Sequence, residues 1–380
     1  MKISKRKIGY KLLICLITYL FIELICFIFI SAGYIPARKP TFKFIYKNTV
    51  NAPFASLSPV WGNWHIPGKL EYQDGCISFN YFINSAGARD KERELHSPDT
   101  NRVIVLGDSF IEGWGVDASD RVSDLLEKRT NQAFLNFGCA TFGPTQELLL
   151  YKNLAAKYDH STVLIGFLPY NDFSDDDPSM YKDANFYKPY FLKKDSGFQL
   201  TYRGVLPVHS SPGTNSSAES AAGSSWKEIT VRFLKSYTYW YNIYAHIKLK
   251  NKENKEINNK SGKTPSYYFD FTQEQFLRLE YVLTQLRGAA DKKRIILFSI
   301  PLLQDLKRIN SEKEGSPLVQ KLDALCKNLQ IEYLDITPYV SSEKAYRDHF
   351  FYCDPHWNEK GNDFTADILY RKFFATPASR

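Results

Sequence analysis

The stretch VIVLGDSF at residues 103–110 joins a short apolar run to a glycine turn and then to a polar pair. Val103–Leu106 is rich in β-branched residues and predicts a buried strand. A sharp strand-to-helix turn at Gly107 would place Ser109 at the edge of a sheet, and the free N–H groups of the helix would stabilise a developing oxyanion. The stretch therefore predicts a serine nucleophile. The alternative interpretation is a glycine turn in which Asp108 or Ser109 only caps a helix.

Short apolar runs alternate with helical patterns along residues 100–375. This alternation favours a parallel sheet covered by helices on both faces. The sequence therefore predicts an α/β fold, a three-layer α/β/α sandwich around a five-stranded parallel sheet. The other predicted strands are Phe134–Phe137, Thr162–Leu168, Arg294–Ile300 and Ile331–Ile336, and the predicted helices are Arg121–Arg129, Gln146–Lys157, Glu274–Asp291 and Pro317–Asn328.

One long insertion, residues 173–266, interrupts this alternation. Its Ser/Gly-rich stretch His209–Ser225 and its Lys/Asn-rich stretch Asn251–Lys263 predict flexible loops. Between them, Trp226–Leu249 predicts an aromatic helix. Because α/β proteins bind ligands at the carboxyl edge of the sheet, where the insertion enters, a lid over the site and a plain spacer both fit the pattern.

The N-terminal segment is apolar and long enough to cross a bilayer. Residues 12–32 read LLICLITYLFIELICFIFISA, in which Glu23 is the only charged residue. The length of the run and the lack of an A-x-A site favour an uncleaved transmembrane helix over a signal peptide. The basic residues on either side favour a cytoplasmic tail at residues 1–11 only slightly. We expect residues 33–99 to form a stalk and N-terminal cap, and the domain beyond to lie outside the cytoplasm, in the periplasm or the extracellular space.

The composition is that of a globular protein with a basic surplus. Of 380 residues, 44% are hydrophobic and 24% are charged, and the formal net charge is +8. Much of the surplus flanks the apolar segment, and neither a basic stripe nor a zinc-finger spacing is present, so no nucleic-acid partner is expected. The six cysteines contain no C-x-x-C pair, which argues against a metal site and leaves one disulfide open.

A second polar motif, DPHWN at residues 354–358, lies near the C-terminus. A serine hydrolase needs an imidazole to take the serine proton and a carboxylate to orient that imidazole. Pro355 favours an extended Asp354, so that the side chains of Asp354 and His356 would point to the same side. Asn358 is placed to cap a following helix. The competing base is His349, which follows another aspartate, and the alternative for His356 is a structural or surface histidine.

Two further segments follow the second and third predicted strands. Asn171, in GFLPYND at residues 166–172, could donate a side-chain N–H to an oxyanion, or it could be a turn residue. The loop NFGCATFGP at residues 136–144, which contains Gly138, could add backbone N–H groups, or it could be a loop shaped only by Gly and Pro.

Taken together and in this order, the four segments resemble the SGNH/GDSL hydrolase superfamily. The lead-in INSAGARD at residues 83–90 is similar to a stretch that precedes the GDSF strand in bacterial membrane-anchored members. The resemblance implies a flavodoxin-like fold, with Ser109 as nucleophile, His356 as general base and Asp354 as its orienting partner. It also implies an oxyanion hole formed by the Ser109 amide and Asn171.

The chain departs from the family pattern in two places. It has D-x-H followed by Trp where D-x-x-H is common, a variant similar to periplasmic polysaccharide O-acetylation proteins. The loop glycine that usually donates an oxyanion N–H aligns with Thr141, with Gly138 as the alternative.

The leading hypothesis is a serine esterase that forms an acyl-enzyme and acts on acyl groups of an envelope glycan. The expected partners are an acylated small-molecule or polysaccharide substrate, the membrane and the envelope polysaccharide machinery, with no cofactor and no metal. The alternatives are an O-acyltransferase to an extracytoplasmic polysaccharide, a non-catalytic glycan-binding or assembly factor with a degenerate domain, and a lysophospholipase or lipase.

Overall fold

The computed structural model describes most of the chain. The described residues are 5–35, 37–40, 42, 56–74, 77–180, 187–195, 197–204, 226–259, 264–312, 314–351 and 354–375. The predicted loop His209–Ser225 lies outside these residues, as do Cys76 and Cys353.

The strands form one parallel sheet and three antiparallel hairpins. Their bounds are β1 (Ser56–Ser58), β2 (Gly62–Trp64), β3 (Gly68–Asp74), β4 (Ile77–Ile83), β5 (Val103–Leu106), β6 (Phe134–Asn136), β7 (Thr162–Phe167), β8 (Lys188–Lys194), β9 (Gly197–Arg203), β10 (Arg294–Ser299) and β11 (Glu332–Asp335). The sheet has the order β6-β5-β7-β10-β11, and all four pairings are parallel. Numbered along the chain, this is the 2-1-3-4-5 order of flavodoxin-like folds.

Some of the helices cover both faces of this sheet. The bounds of the helices are α1 (Lys5–Ser31), α2 (Ser109–Glu112), α3 (Val122–Thr130), α4 (Pro144–Asn153), α5 (Pro169–Asp175), α6 (Trp226–Tyr237), α7 (Tyr239–Asn259), α8 (Gln273–Ala290), α9 (Leu303–Ser311), α10 (Pro317–Asn328), α11 (Glu343–Arg347) and α12 (Glu359–Leu369). Three of them, α1, α6 and α7, contribute no residue to the two hydrophobic cores that flank the sheet.

Two separate hydrophobic cores establish the three layers. Successive side chains of a strand point to opposite faces, and β5 follows this rule. Ile104 and Leu106 pack in a core with α4, α8 and α10. Val103 and Val105 pack in a second core with α3, α9 and α12. The predicted three-layer sandwich with a five-stranded parallel sheet is confirmed.

Most predicted elements occur within two residues of their expected bounds, with three differences in the helices. The helix predicted as Gln146–Lys157 is α4, which ends at Asn153. The predicted helix Trp226–Leu249 is two helices, α6 and α7, separated by Thr238. The stretch Asn251–Lys263, predicted to be a loop, is helical as far as Asn259. Its Lys and Glu residues are good helix formers, so continuation of α7 fits their intrinsic propensity.

The segment before the sheet is more regular than the sequence interpretation suggested. Strands β1 and β2 pair as one hairpin and β3 and β4 as another. Along β4, every second residue is buried, from Ile77 to Ile83. Among the described residues, Gly9–Ser31 of α1 is the one helical stretch long and apolar enough to cross a membrane.

Candidate active site

The nucleophile turn is built by Gly107 and Asp108. Gly107 has a φ of +151°, and an added Cβ would lie 2.3 Å from the Ile111 side chain, so only glycine fits there. Asp108 is the N-cap of α2, and its Oδ1 accepts from the Phe110 amide at 2.9 Å. Ser109 is therefore the first residue of a helix at the carboxyl end of β5, and it is 6% exposed.

The structure brings Ser109, His356 and Asp354 together. The Ser109 Oγ lies 2.7 Å from His356 Nε2. The other ring nitrogen, Nδ1, lies 2.5 Å from Asp354 Oδ1. Because Asp354 can only accept when ionised, Nδ1 carries the proton and Nε2 is left to accept from the serine hydroxyl. The imidazole is held between two rings, with centroid distances of 5.0 Å to Phe110 and 6.1 Å to Trp114.

A bend, and not the expected extended chain, places the carboxylate beside the imidazole. Asp354 Oδ1 accepts from the His356 amide at 3.0 Å as well as from the ring, which is the pattern of an Asx turn. Burial alone would raise the pKa of Asp354, but the hydrogen bonds and charge of His356 lower it below its usual value. Asn358 caps α12 as predicted, since its Oδ1 accepts from the Lys360 and Gly361 amides.

The competing histidine, His349, lies elsewhere. Its ring stacks on Phe364 with a centroid distance of 4.5 Å, and burial lowers its pKa. It therefore contributes to packing beneath α12, and His356 is the histidine that reaches the serine.

Asn171 lies next to the nucleophile turn, in the first turn of α5. Its Nδ2 donates to Asp108 Oδ2 at 3.0 Å. An amide nitrogen has two N–H groups, so one remains for a ligand. Burial raises the pKa of Asp108 to about 6, although the hydrogen bonds from Phe110 and Asn171 oppose this.

The loop after β6 passes beside the same turn, because the Cys139 amide donates to the Gly107 carbonyl at 3.0 Å. The Gly138 amide donates to Asn136 Oδ1 at 2.9 Å and is thereby occupied. Thr141 has a φ of +68°, a conformation usually left to glycine. Its amide has no acceptor among the described residues. Of the two alternatives for a backbone donor, Thr141 is therefore the one whose N–H can face a ligand.

Three side chains from outside the sheet hold the Thr141 segment in place. Asn63 Nδ2, next to Trp64 on β2, donates to Thr141 Oγ1 at 3.2 Å. Lys188 Nζ, on β8 of the insertion, donates to the Thr141 carbonyl at 2.9 Å and lies 3.5 Å from Asp175. Glu112 Oε2 accepts from the adjacent Ala140 amide at 2.6 Å.

Glu112 and His65 form a buried pair directly behind α2 that the sequence interpretation did not include. His65 Nε2 lies 3.2 Å from Glu112 Oε1, and Tyr81 donates to the same oxygen at 2.6 Å. His65 Nδ1 lies 2.8 Å from the Gly87 carbonyl. Both ring nitrogens therefore lie beside oxygen acceptors, and Nε2 also lies 3.9 Å from the Cys139 Sγ. Burial alone would raise the pKa of Glu112, but His65 lowers it below its usual value.

His65, Glu112 and Cys139 also form the one group in the described part of the chain whose spacing could suit a metal ion. Their hydrogen bonds argue for a different use, because both His65 nitrogens and both Glu112 oxygens already have partners. Burial and the nearby Glu112 raise the pKa of the Cys139 thiol well above its usual value, which disfavours the thiolate that a metal needs. The group fits a structural ion pair better than a metal centre.

Comparison with known proteins gives matches among solved structures only. No protein-family model and no curated protein matches the chain. A lipolytic protein of the G-D-S-L family from Veillonella parvula is 11% identical over 72% of this chain and 99% of its own, with a TM-score of 0.35. A lipase/acylhydrolase from Enterococcus faecalis is 12% identical, with coverages of 71% and 94% and a TM-score of 0.35. A Corynascus thermopiles carbohydrate esterase of family 2 is 11% identical, with coverages of 74% and 67% and a TM-score of 0.37.

These proteins are what the chain is similar to. The 2-1-3-4-5 sheet with a GDS turn after its first strand is the fold expected from the SGNH/GDSL resemblance. What the site can do follows from its own contacts.

Proposed function

We propose that this protein is a serine esterase of the SGNH/GDSL type that works through an acyl-enzyme. The observation that carries the proposal is the contact chain from Ser109 Oγ through His356 to Asp354, with distances of 2.7 Å and 2.5 Å. A serine at the start of a helix, with a base in hydrogen-bond reach and a carboxylate behind that base, is the arrangement of a nucleophilic hydrolase.

The proposed reaction begins with attack of Ser109 Oγ on an ester carbonyl while its proton passes to His356 Nε2. Asp354 holds the ring in the required tautomer and stabilises the imidazolium that forms. The carbonyl oxygen becomes an oxyanion, for which the Ser109 amide, the Thr141 amide and the second N–H of Asn171 are the available donors. His356 then returns its proton to the departing alkoxide. In the second half of the reaction, His356 takes a proton from a water molecule whose oxygen attacks the acyl carbonyl. His356 returns this proton to Ser109 Oγ as the bond between Ser109 and the acyl group breaks and the carboxylic acid leaves.

The test is hydrolysis of p-nitrophenyl acetate by the purified full-length chain and by Ser109→Ala. Loss of the nucleophile should lower kcat by on the order of 10³-fold or more. A fluorophosphonate probe should label the wild-type chain and leave Ser109→Ala unlabelled. Equal hydrolysis by both chains would refute the proposal, and a wild-type chain that is never labelled would favour a non-catalytic binding role.

We further propose that the natural ester is an acylated glycan of the cell envelope. The support is α1, which as a retained span would keep the site beside extracytoplasmic polymers. Acetyl release from O-acetylated polysaccharide, compared with fatty-acid release from a lysophospholipid, separates this substrate from a lipid. A deacetylated glycan is then added to the reaction. If it becomes acetylated while less acetate is released, the activity is that of an O-acyltransferase instead.

A further inference from the structure

The single charged side chain of the apolar segment Leu12–Ser31 of α1 contacts the insertion. Glu23 is the only charged residue between Leu12 and Ser31. Its Oε2 accepts from the backbone N–H of Tyr239 at 2.7 Å. Tyr239 is the first residue of α7, so this N–H has no partner within its own helix, and a carboxylate is favoured at a helix N-terminus. An acidic residue that would be costly inside a bilayer therefore has a defined partner.

The contact extends along one face of α1. Cys26 and Ile30 follow Glu23 at spacings of three and seven residues, and these three are less exposed than the residues around them. The Phe27 ring meets the Tyr239 ring edge-on at a centroid distance of 5.3 Å. Helix α7 thus packs along the helix that is proposed to span the membrane.

The position of Glu23 sets the depth of this contact. Eight residues separate Glu23 from Ser31 at the end of α1, which is about 12 Å along a helix. Half of a bilayer's hydrocarbon core is about 15 Å thick. If α1 spans the membrane, the start of α7 therefore lies inside the leaflet on the side of the catalytic domain.

At the elbow between α6 and α7, backbone carbonyls accept hydrogen bonds, as a hydrocarbon environment demands. The Ser236 carbonyl accepts from the Phe42 amide at 2.9 Å. The only residue between the two helices is Thr238, whose Oγ1 donates to the Leu234 carbonyl at 2.8 Å. Asn242 Nδ2 donates to the Lys235 and Thr238 carbonyls at 2.9 Å and 2.8 Å. Thr238 and Asn242 are both buried.

The outward faces of the two helices carry large apolar side chains, with the exposed lysines Lys227, Lys235 and Lys248 beside them. The long apolar stem of a lysine lets its ammonium group reach the headgroup region. On α6, Trp226 is 85% exposed and Phe233 is 50% exposed. On α7, Tyr244 and Ile247 are each 50% exposed and lie on one face. Helix α6 has 12 residues, about 18 Å, which is long enough to return from the elbow to the headgroup region, where Trp is preferred.

From these contacts we infer that α6 and α7 form a helix pair that is docked on α1 and embedded in the leaflet facing the catalytic domain, with lipid acyl chains covering its exposed aromatic face. The inference rests on the proposed span of α1 and is independent of the esterase chemistry. It gives part of the insertion the role of a second membrane attachment, in place of a lid.

The test uses photo-crosslinking of the full chain in nanodiscs made of phosphatidylcholine and phosphatidylglycerol. Tyr244→p-benzoylphenylalanine should form lipid adducts that are detected by intact mass spectrometry. The matched control is Leu95→p-benzoylphenylalanine, because Leu95 is 45% exposed but lies in the loop between β4 and β5, on the catalytic domain. Lipid adducts at 244 and none at 95 are expected. Equal yields at both positions, or a protein adduct at 244 in native membranes, would overturn the inference.

Variants of Glu23 test the docking on α1. Glu23→Gln keeps an oxygen that can accept from Tyr239, so the lipid adducts at 244 should persist. Glu23→Ala removes the acceptor and should lose them. Unchanged adducts in Glu23→Ala would refute the docking. Carbonate extraction of the membranes tests the span separately. A chain that is extracted from the membrane refutes the span. A chain that stays in the membrane but forms no lipid adducts at 244 refutes only the embedded helix pair. Esterase activity is measured apart from both.

Discussion

At the scale of single residues, the loop between β6 and α4, which carries the proposed oxyanion donor Thr141, adopts a conformation that is usually left to glycine. Thr141 has a φ of +68°, which is unfavourable for a β-branched residue by about 1–2 kcal/mol. Its hydroxyl accepts from Asn63 and its carbonyl accepts from Lys188, and these contacts offset the strain. These contacts allow threonine, in place of glycine, to hold its backbone N–H in this conformation.

We expect Thr141→Gly to retain kcat within about threefold, because the amide that would face the oxyanion remains. Thr141→Ala keeps the strained backbone and loses the hydroxyl, so it should melt at a lower temperature than Thr141→Gly, by the equivalent of about 1 kcal/mol. Kinetics with p-nitrophenyl acetate and thermal melts check both. A loss of kcat in Thr141→Gly as large as that in Ser109→Ala would contradict the assignment of this amide.

At the scale of elements, the short helix α2 carries residues with different contacts at its two ends. Ser109 begins it and faces His356, while Glu112 ends it and binds His65 and the Ala140 amide. These contacts of Glu112 therefore fix the loop after β6 relative to Ser109. Gly138 permits this close packing, since an added Cβ would lie 2.5 Å from the Glu112 amide.

Glu112→Gln has one acceptor oxygen, whereas the contacts of Glu112 require two. One carboxylate oxygen accepts from the Ala140 amide, and the other accepts from Tyr81 and lies beside His65. The loop should shift, and we expect kcat to fall about tenfold to a hundredfold with a smaller change in KM. Tyr81→Phe is the matched control, because it removes one hydrogen bond to Glu112 and leaves the Ala140 contact. It should cost about 1 kcal/mol of stability and little kcat. Equal kcat losses in the two variants would show that Glu112 has only a structural role.

The elements of the sheet were predictable from sequence because four of its strands, β5, β6, β7 and β10, are short apolar runs buried on both faces. The edge strand β11 is only partly buried. The Asp354–His356 pairing was also predictable from its spacing, although the turn that achieves it was not. The hairpin strand β4 was missed, yet its alternation of Ile77, Phe79, Tyr81 and Ile83 carries the period of a half-buried strand. The pairing of His65 with Glu112 has no sequence signal, because it depends on how the β1–β4 region packs on α2.

At the scale of the whole molecule, several buried carboxyls have the same pH dependence. Burial raises the pKa values of Asp108, Asp176 and Asp305 to about 6 each. A carboxyl with a raised pKa binds its proton more tightly in the folded state than in the unfolded state. Its contribution to stability is therefore greatest at low pH and is lost as pH rises from about 4 to 6.

Asp305 offers a test of this dependence away from the active site. It accepts from the Leu302 amide and the Ser266 hydroxyl at the start of α9. Between about pH 5 and pH 7.5, its ionisation should lower the stability of the wild-type chain by about 1 kcal/mol. The melting temperature of Asp305→Asn should decrease less than that of the wild-type chain over this pH range. The control is Asp195→Asn, because Asp195 is exposed between β8 and β9, and its melting temperature should follow the wild type. A decrease in Asp305→Asn as steep as in wild type would contradict the assignment.

The buried pair of His65 and Glu112 has a consequence for proteolysis of this protein. If α1 is the proposed membrane span, a domain freed from it keeps this pair only when the cleavage lies on the N-terminal side of β1. Cleavage near residue 100 would instead separate His65 and Tyr81, the partners of Glu112, from the rest of the domain and leave its carboxyl uncompensated beneath Ser109. On the proposed function, the first cleavage would yield a diffusible hydrolase and the second would be inactivating.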